Sequence, residues 1–243
     1  MNRYMFSVIT VNYNNCYGLK KTIESVISQK HPSFEFIVID GDSKDKSIQL
    51  LKNFKNQINN IVSESDLGVY DAMNKGWRLA KGEYCIFMNS GDIFANSEVL
   101  NEVHSQIEVS SDIIYGCHLW GSKDGERWNP KKDFKFREIM CFTPISHQAT
   151  FIKKTILEKV GGFKTEYKII ADWGVLLDSM RMNARLQKIS LDICIAEEPG
   201  ESNVSIKQIS DERSKYLKRH HLFIFLFNKY VVLPSINIIN KYK

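Results

Sequence analysis

Along the first hundred residues, short runs of apolar side chains alternate with longer stretches in which apolar residues return every three or four positions. The run "FSVITV" (6–11) predicts a strand, and Leu19, Ile23, Val26 and Ile27 then recur at helical spacing before Pro32 breaks the pattern. "FEFIVID" predicts a second strand, ended by "GDSKDKS", whose Ser43 or Asp45 can cap a helix carrying Ile48, Leu50, Leu51 and Phe54. "NIVSE" predicts a short third strand, residues 70–81 a helix, and "GEYCIFMNSGDIF" (82–94) a buried strand running into the polar turn Asn89, Ser90, Gly91 and Asp92. Strand and helix in units of about 30 residues imply an α/β protein with a mostly parallel, Rossmann-like sheet covered by helices on both faces.

Beyond residue 95 the pattern loosens. It predicts a helix near 97–107, a strand at 112–116, a loop-rich stretch over 117–145, a strand at "HQATFIKK" (147–154), and a helix ending at "VGGF". "ADWGVLLDSMRMN" predicts another helix, and "RLQKIS" and "DICIAEE" two edge strands. No repeat interrupts residues 1–206, so they are expected to form one domain, followed by a C-terminal helical tail over 207–243.

Composition adds little to the fold but separates body from tail. The chain has 243 residues, 43% hydrophobic and 25% charged, within the ordinary globular range. Its formal charge is +5, yet from Lys207 onward eight Lys or Arg face two acids, so the tail carries +6 and the rest −1. An anionic partner is therefore expected for the tail and none of nucleic-acid type for the body. The basic residues interleave with "LFIFLFNKYVVL" (222–233), shorter than the roughly 20 apolar residues of a bilayer span, which suits an anionic membrane surface; a helix folded onto the core or a dimer contact is the other reading. Five cysteines without CxxC spacing and no cleavable leader pattern suggest reduced thiols in the cytoplasm, with the tail peripheral on the membrane.

In open parallel sheets ligands bind beyond the carboxyl ends of the strands. Those ends gather Asn12, Tyr13 and Asn14, then Asp40 and Asp42, then Glu64 and Asp66, then Asn89 to Asp92. Neither GxGxxG nor a P-loop is available, but carboxylates can hold a diphosphate through Mg²⁺ or Mn²⁺, and Asp92 on its short turn fits that task.

"SVITVNYNN", "FEFIVIDGDSKDKS", "SDLGVYDAMNKGWRLAKGEYCIFMNSGD" and "GGFKTEYKIIADW", in this order, resemble the inverting family 2 glycosyltransferases of GT-A fold that build bacterial surface polysaccharides, over about residues 6–205. The resemblance implies a nucleoside-diphosphate sugar donor, a UDP-sugar above others, a Mn²⁺ or Mg²⁺ cofactor, and a saccharide or lipid-linked acceptor hydroxyl. It implies nucleotide contacts from Val11, Asn12, Tyr13, Asp40, Asp66, Asp71, Asn74, Lys75, Ser90 and Gly91, with Tyr13 packing on the base. Asp92 is the implied metal ligand, with Asn89 and Gly91 standing where the family carries two further acids, and Gly41 where it is often acidic. Asp172 is the implied base, with Ala171 before it in place of the usual acid. His147 and Trp173 are candidate acceptor or phosphate contacts. The rival readings are a nucleotidyltransferase and a degenerate sugar-nucleotide binding module.

Overall fold

The computed structural model describes residues 4–31, 33–122, 124–132, 134, 138–139, 145–197 and 205–227. Pro32, Cys141 and residues 228–243 of the basic tail lie outside these residues. Strands β1 (Tyr4–Asn12), β2 (Phe34–Asp40), β3 (Asn60–Ser63) and β4 (Gly82–Asn89) alternate with helices α1 (Cys16–Ile27), α2 (Ser47–Asn53) and α3 (Val69–Leu79). These four strands pair in parallel in the order β3-β2-β1-β4, with Val11 beside Ile39 and Asn89, so all their carboxyl ends meet at one edge.

The second half adds β5 (Ile93–Phe94), α4 (Val99–Gln106), β6 (Ile113–Trp120), β7 (Arg127–Trp128), β8 (Thr150–Lys153), α5 (Lys154–Val160), α6 (Ala171–Arg181) and β9 (Leu186–Ala196). The sheet continues β4-β8-β6-β9-β5, and β8 runs antiparallel to both its neighbours. Three expectations change. The strand expected from His147 starts at Thr150, after a 3-10 turn over His147–Ala149; the two expected edge strands are the single β9; and the expected loop holds the end of β6 and β7.

Alternation at period two sends successive side chains to opposite faces. Ile9, Val11, Ile37, Ile39 and Phe87 enter one core with α3, α5 and α6, while Phe6, Val8, Phe36, Val38 and Ile86 enter the other with α1, α2 and α4. Cys85, Cys117 and Cys194 are free and buried, and Cys16 is free and half-buried.

Helix α7 (Ile206–His220) opens with a capping box between Ser205 and Gln208, and α8 (Leu222–Phe227) follows. The boundary expected at residue 206 is no break in packing, because Tyr216 and Leu217 belong to the α3–α6 core. The Tyr216 hydroxyl donates to Asp178 Oδ2 at 2.8 Å, and Glu212 accepts from the Lys168 and Ile169 amides at the entrance to α6. A Cβ at Gly174 would come within 2.6 Å of the Tyr216 ring, so that glycine lets the two helices close. Beyond the joint, Leu222 and Phe223 are exposed, Phe223 to 90%.

Candidate active site

The edge where the parallel strands end carries a cleft of about 650 Å³. Val11, Asn12, Tyr13, Asp66 and Ser90 line it, as expected, together with Asn15, Gly41, Asp42, Lys44, Ser65, Asn89 and the entry to α3. Tyr13 stands 67% exposed in this cleft. A Cβ at Gly41 would lie 2.5 Å from Asp66 Oδ2 and 3.2 Å from the Tyr13 ring, so the missing side chain lets carboxylate and ring approach each other. Asp66 also accepts from the Gly68 amide at 2.8 Å, and Gly68, at φ +114°, turns the chain into α3. An exposed aromatic ring can stack on a planar heterocycle, and a carboxylate beside it can accept from that heterocycle's N–H groups.

Other expected nucleotide contacts are engaged elsewhere. Asp40 is fully buried beneath the cleft and accepts from Asn12 Nδ2 (2.7 Å), the Ser43 amide (3.0 Å), Ser43 Oγ (2.6 Å) and Ser63 Oγ (2.9 Å). It anchors the floor instead of facing the nucleotide. Asn74 is buried too: Nδ2 donates to the Phe163 carbonyl, and Oδ1 accepts from the Phe163 amide and the Trp77 indole. Asp71 accepts from the Leu67 amide at the start of α3, and Lys75 pairs with Glu64 at 2.9 Å while donating to the Ser65 carbonyl. Trp173 is 0% exposed, with its indole N–H on the Ile139 carbonyl and its ring against Tyr216, so it is a core aromatic and no sugar platform.

Asp172, in the first turn of α6, remains one-fifth exposed. Oδ1 accepts from its neighbour's amide at Trp173 (2.7 Å) and from the Tyr70 hydroxyl (3.2 Å), and Oδ2 meets His147 Nδ1 at 3.1 Å. The Asn89 amide reaches the other nitrogen, Nε2, at 3.3 Å. Because Asn89 Nδ2 can only donate, Nε2 accepts and Nδ1 carries the proton toward Asp172. Burial pulls the Asp172 carboxyl upward, but the hydrogen bonds from His147, the Trp173 amide and the Tyr70 hydroxyl outweigh it and hold the group below the ordinary carboxylate value. His147 thus orients Asp172 and ties it to the strand-end turn, a role different from direct acceptor or phosphate contact.

That turn runs from Asn89 to Asp92. Asp92 is buried, and accepts from the Asn89 amide through Oδ2 (3.1 Å) and from the Glu197 amide through Oδ1 (3.0 Å). Burial raises its pKa, against the hydrogen bonds from the Glu197 and Asn89 amides. A chain of contacts therefore joins the two aspartates: Asp92, Asn89, His147, Asp172. Gly91, at φ +111°, lines a neighbouring hollow of about 430 Å³ together with Lys21 and Glu197. Among the described residues, no three of His, Cys, Asp or Glu gather into a metal cage. Asn89 Oδ1 is buried without a hydrogen-bond partner there. Asn15 and Lys44 were absent from the sequence-based site, although both follow strand ends; no local signal marked Glu197.

Comparison with known proteins agrees with this geometry. Residues 7–167 match the family described as glycosyl transferase family 2. A PGL/p-HBAD biosynthesis glycosyltransferase of Mycobacterium bovis is 29% identical over 174 residues, which are 70% of this chain and 67% of that protein. Among solved structures, S. aureus TarS in complex with UDP superposes with a TM-score of 0.70 at 21% identity, over 92% of this chain and 65% of that one. The mannosyltransferase PcManGT from Pyrobaculum calidifontis, in complex with GDP-Man and Mn²⁺, gives 0.67 at 17% identity, over 89% of this chain and 64% of that one. The likeness establishes a GT-A-type fold, and the chain spans slightly less than two thirds of both structures. The family match stops before Asp172.

Proposed function

We propose, on the premise that this chain belongs to glycosyl transferase family 2, that it is a metal-dependent inverting transferase moving a sugar from a nucleoside-diphosphate donor, a UDP-sugar above others, to a hydroxyl of a saccharide or lipid-linked saccharide. The reading places it in the synthesis of a bacterial surface glycan. The observation that carries it is the contact chain joining Asp92, beside the nucleotide cleft, to Asp172.

Tyr13 and Asp66 hold the base, and Asn12 and Ser90, joined by a 2.8 Å hydrogen bond, form the wall beneath ribose and phosphate. Asp172, kept ionised by its neighbours, takes the proton from the acceptor hydroxyl as that oxygen attacks the anomeric carbon. The new C–O bond forms on the face opposite the breaking one, and the nucleoside diphosphate leaves with the bonding electrons. Inversion follows from that single displacement. His147 fixes the direction of the receiving carboxylate through its Nδ1 proton.

Two oxygen donors of the turn suit a hard divalent cation: the buried carboxylate of Asp92 and the orphaned Asn89 Oδ1. Asp92 would hold Mn²⁺ or Mg²⁺, which when bound neutralises charge on the departing diphosphate. The first test is a melting-temperature screen of UDP-, GDP-, CDP- and TDP-sugars with and without Mn²⁺. One nucleotide class should raise the melting temperature by several degrees, only with metal, and should then release its diphosphate in the presence of acceptor. No response to any nucleotide removes the reading.

No helix among the described residues is long and apolar enough to cross a membrane. The exposed Leu222 and Phe223, next to the basic tail, support attachment to an anionic membrane surface on the cytoplasmic side. Deleting residues 222–243 leaves Tyr216 and Leu217 in the core. The shortened protein should keep its melting temperature and lose binding to phosphatidylglycerol liposomes; undiminished binding ends this part of the reading.

A further inference from the structure

We propose that the joint between α6 and α7 holds the phosphate of an anionic lipid headgroup, in a hollow whose cations Lys164 and Arg181 have no carboxylate of their own. The inference rests on the membrane attachment read above from Leu222 and Phe223, and adds to it the lipid group that is recognised and the residues that recognise it.

The hollow, of about 300 Å³, is lined by Lys164, Asp178, Arg181, Met182, His220 and His221. Its one carboxylate is occupied from within. Arg181 Nη1 contacts His221 Nδ1, and because a guanidinium only donates, that nitrogen accepts and the ring proton sits on Nε2. Nε2 donates to Asp178 Oδ1 at 2.6 Å, and the Tyr216 hydroxyl donates to Oδ2 at 2.8 Å. His221 is therefore neutral, and both oxygens of Asp178 are engaged. The other acid at the joint, Glu166, faces Arg219 at 3.6 Å and His220 at 3.7 Å.

Among the described residues neither Lys164 nor Arg181 forms an ion pair. Lys164 Nζ donates to the Val160 carbonyl at 3.0 Å, and Arg181 spends an N–H on His221. Both stand at the carbonyl end of a helix, α5 and α6, whose partial charge of about half a unit offsets less than one full positive charge. Burial lowers the pKa of His220, against the pull of Glu166 and Asp178, so that ring adds no charge near neutral pH. Lys164, Arg181 and Arg219 thus face Asp178 and Glu166, with one positive charge left over. The rim is apolar: Met182 and Leu222 are half-exposed, and Phe223 stands in solvent two residues after His221. A basic cup edged by apolar side chains suits a ligand with phosphate at one end and hydrocarbon at the other; a free phosphate would leave that edge uncovered.

The test is sedimentation of the full chain with mixed phosphatidylglycerol and phosphatidylcholine vesicles in about 0.3 M salt, where diffuse attraction is screened. Lys164→Gln with Arg181→Gln should weaken binding about tenfold or more. Lys207→Gln with Lys215→Gln removes the same charge from exposed positions of α7 outside the hollow, and should cost less than about threefold. Equal losses in the two pairs, or none, would overturn the proposal and leave the membrane reading intact. Glycerol 3-phosphate that binds as tightly as the vesicles, through the same two residues, would make a free phosphate the occupant, and the lipid assignment fails. Wild type that stays off the vesicles removes the membrane reading and this inference together. Arg181 touches His221, so if the double variant melts early, Lys164→Gln alone decides: about a threefold loss against none for Lys207→Gln.

Discussion

Asp172→Asn should lower turnover about a thousandfold while leaving nucleotide affinity within about twofold of wild type, the loss expected when a general base is removed. The substitution preserves shape and leaves Oδ1 for the Trp173 amide and the Tyr70 hydroxyl. At the other position an NH₂ group meets the Nδ1 proton of His147, two donors face to face. His147 can relieve this only by moving its proton to Nε2, where the Asn89 amide also donates. The defect therefore combines a lost proton acceptor with a disordered contact chain, and neither part reaches Tyr13 or Asp66. Steady-state diphosphate release and calorimetric nucleotide binding, measured on the same preparation, separate the two effects. Nucleotide binding that falls with turnover would mean that Asp172 belongs to the donor site.

The same carboxylate sets a pH expectation. Its folded pKa lies below the ordinary value, so its contribution to stability is fully present above the unfolded pKa and fades as pH falls through the folded one. Wild type should thus lose more stability than Asp172→Asn only in strong acid.

Asp40→Ala should cost about 3 kcal/mol of folding stability. Its carboxylate accepts four hydrogen bonds from the first, second and third strands' ends, and the substitution leaves buried donors at Asn12, Ser43 and Ser63 without their acceptor. Each such orphan costs about 1–3 kcal/mol, and part is recovered because a desolvated carboxylate disappears and Asn12 keeps its 3.2 Å contact with Ser43 Oγ. Against a total stability of about 5–15 kcal/mol this is a large share. A urea transition displaced by less than about 1 kcal/mol would show that the floor of the cleft does not depend on Asp40.

These two aspartates mark where sequence reading succeeds and where it stops. Strand ends were legible because apolar runs stop abruptly at polar residues, and the rule for parallel sheets assigns those ends to one edge; Tyr13, Asp66 and Ser90 follow directly. Which polar residue faces the cleft was not legible. Asp40 and Asp66 look alike in sequence, but Asp40 turns inward because Asn12 and Ser63 wait on the neighbouring strands, partners 28 and 23 positions away. Asn74 has helical spacing with Asp71 yet closes the turn at Phe163, and Trp173 beside Asp172 disappears under a C-terminal helix for which the sequence left membrane surface and core packing both open. His147 could be nominated only as a lone histidine, because its two partners, Asn89 and Asp172, come from different halves of the chain. The rival nucleotidyltransferase is set aside by the family match. The degenerate binding module rested on a depleted metal turn, and Asp172→Asn separates it from a transferase, because a binding module has no turnover to lose.

Gly91 and Glu197 are packed against each other despite the hundred or so residues between them. An acid placed at position 91 would find its space taken, and shortening residue 197 would leave room that glycine does not fill. The two positions should therefore tolerate change only as a pair: a side chain at 91 demands a smaller residue at 197.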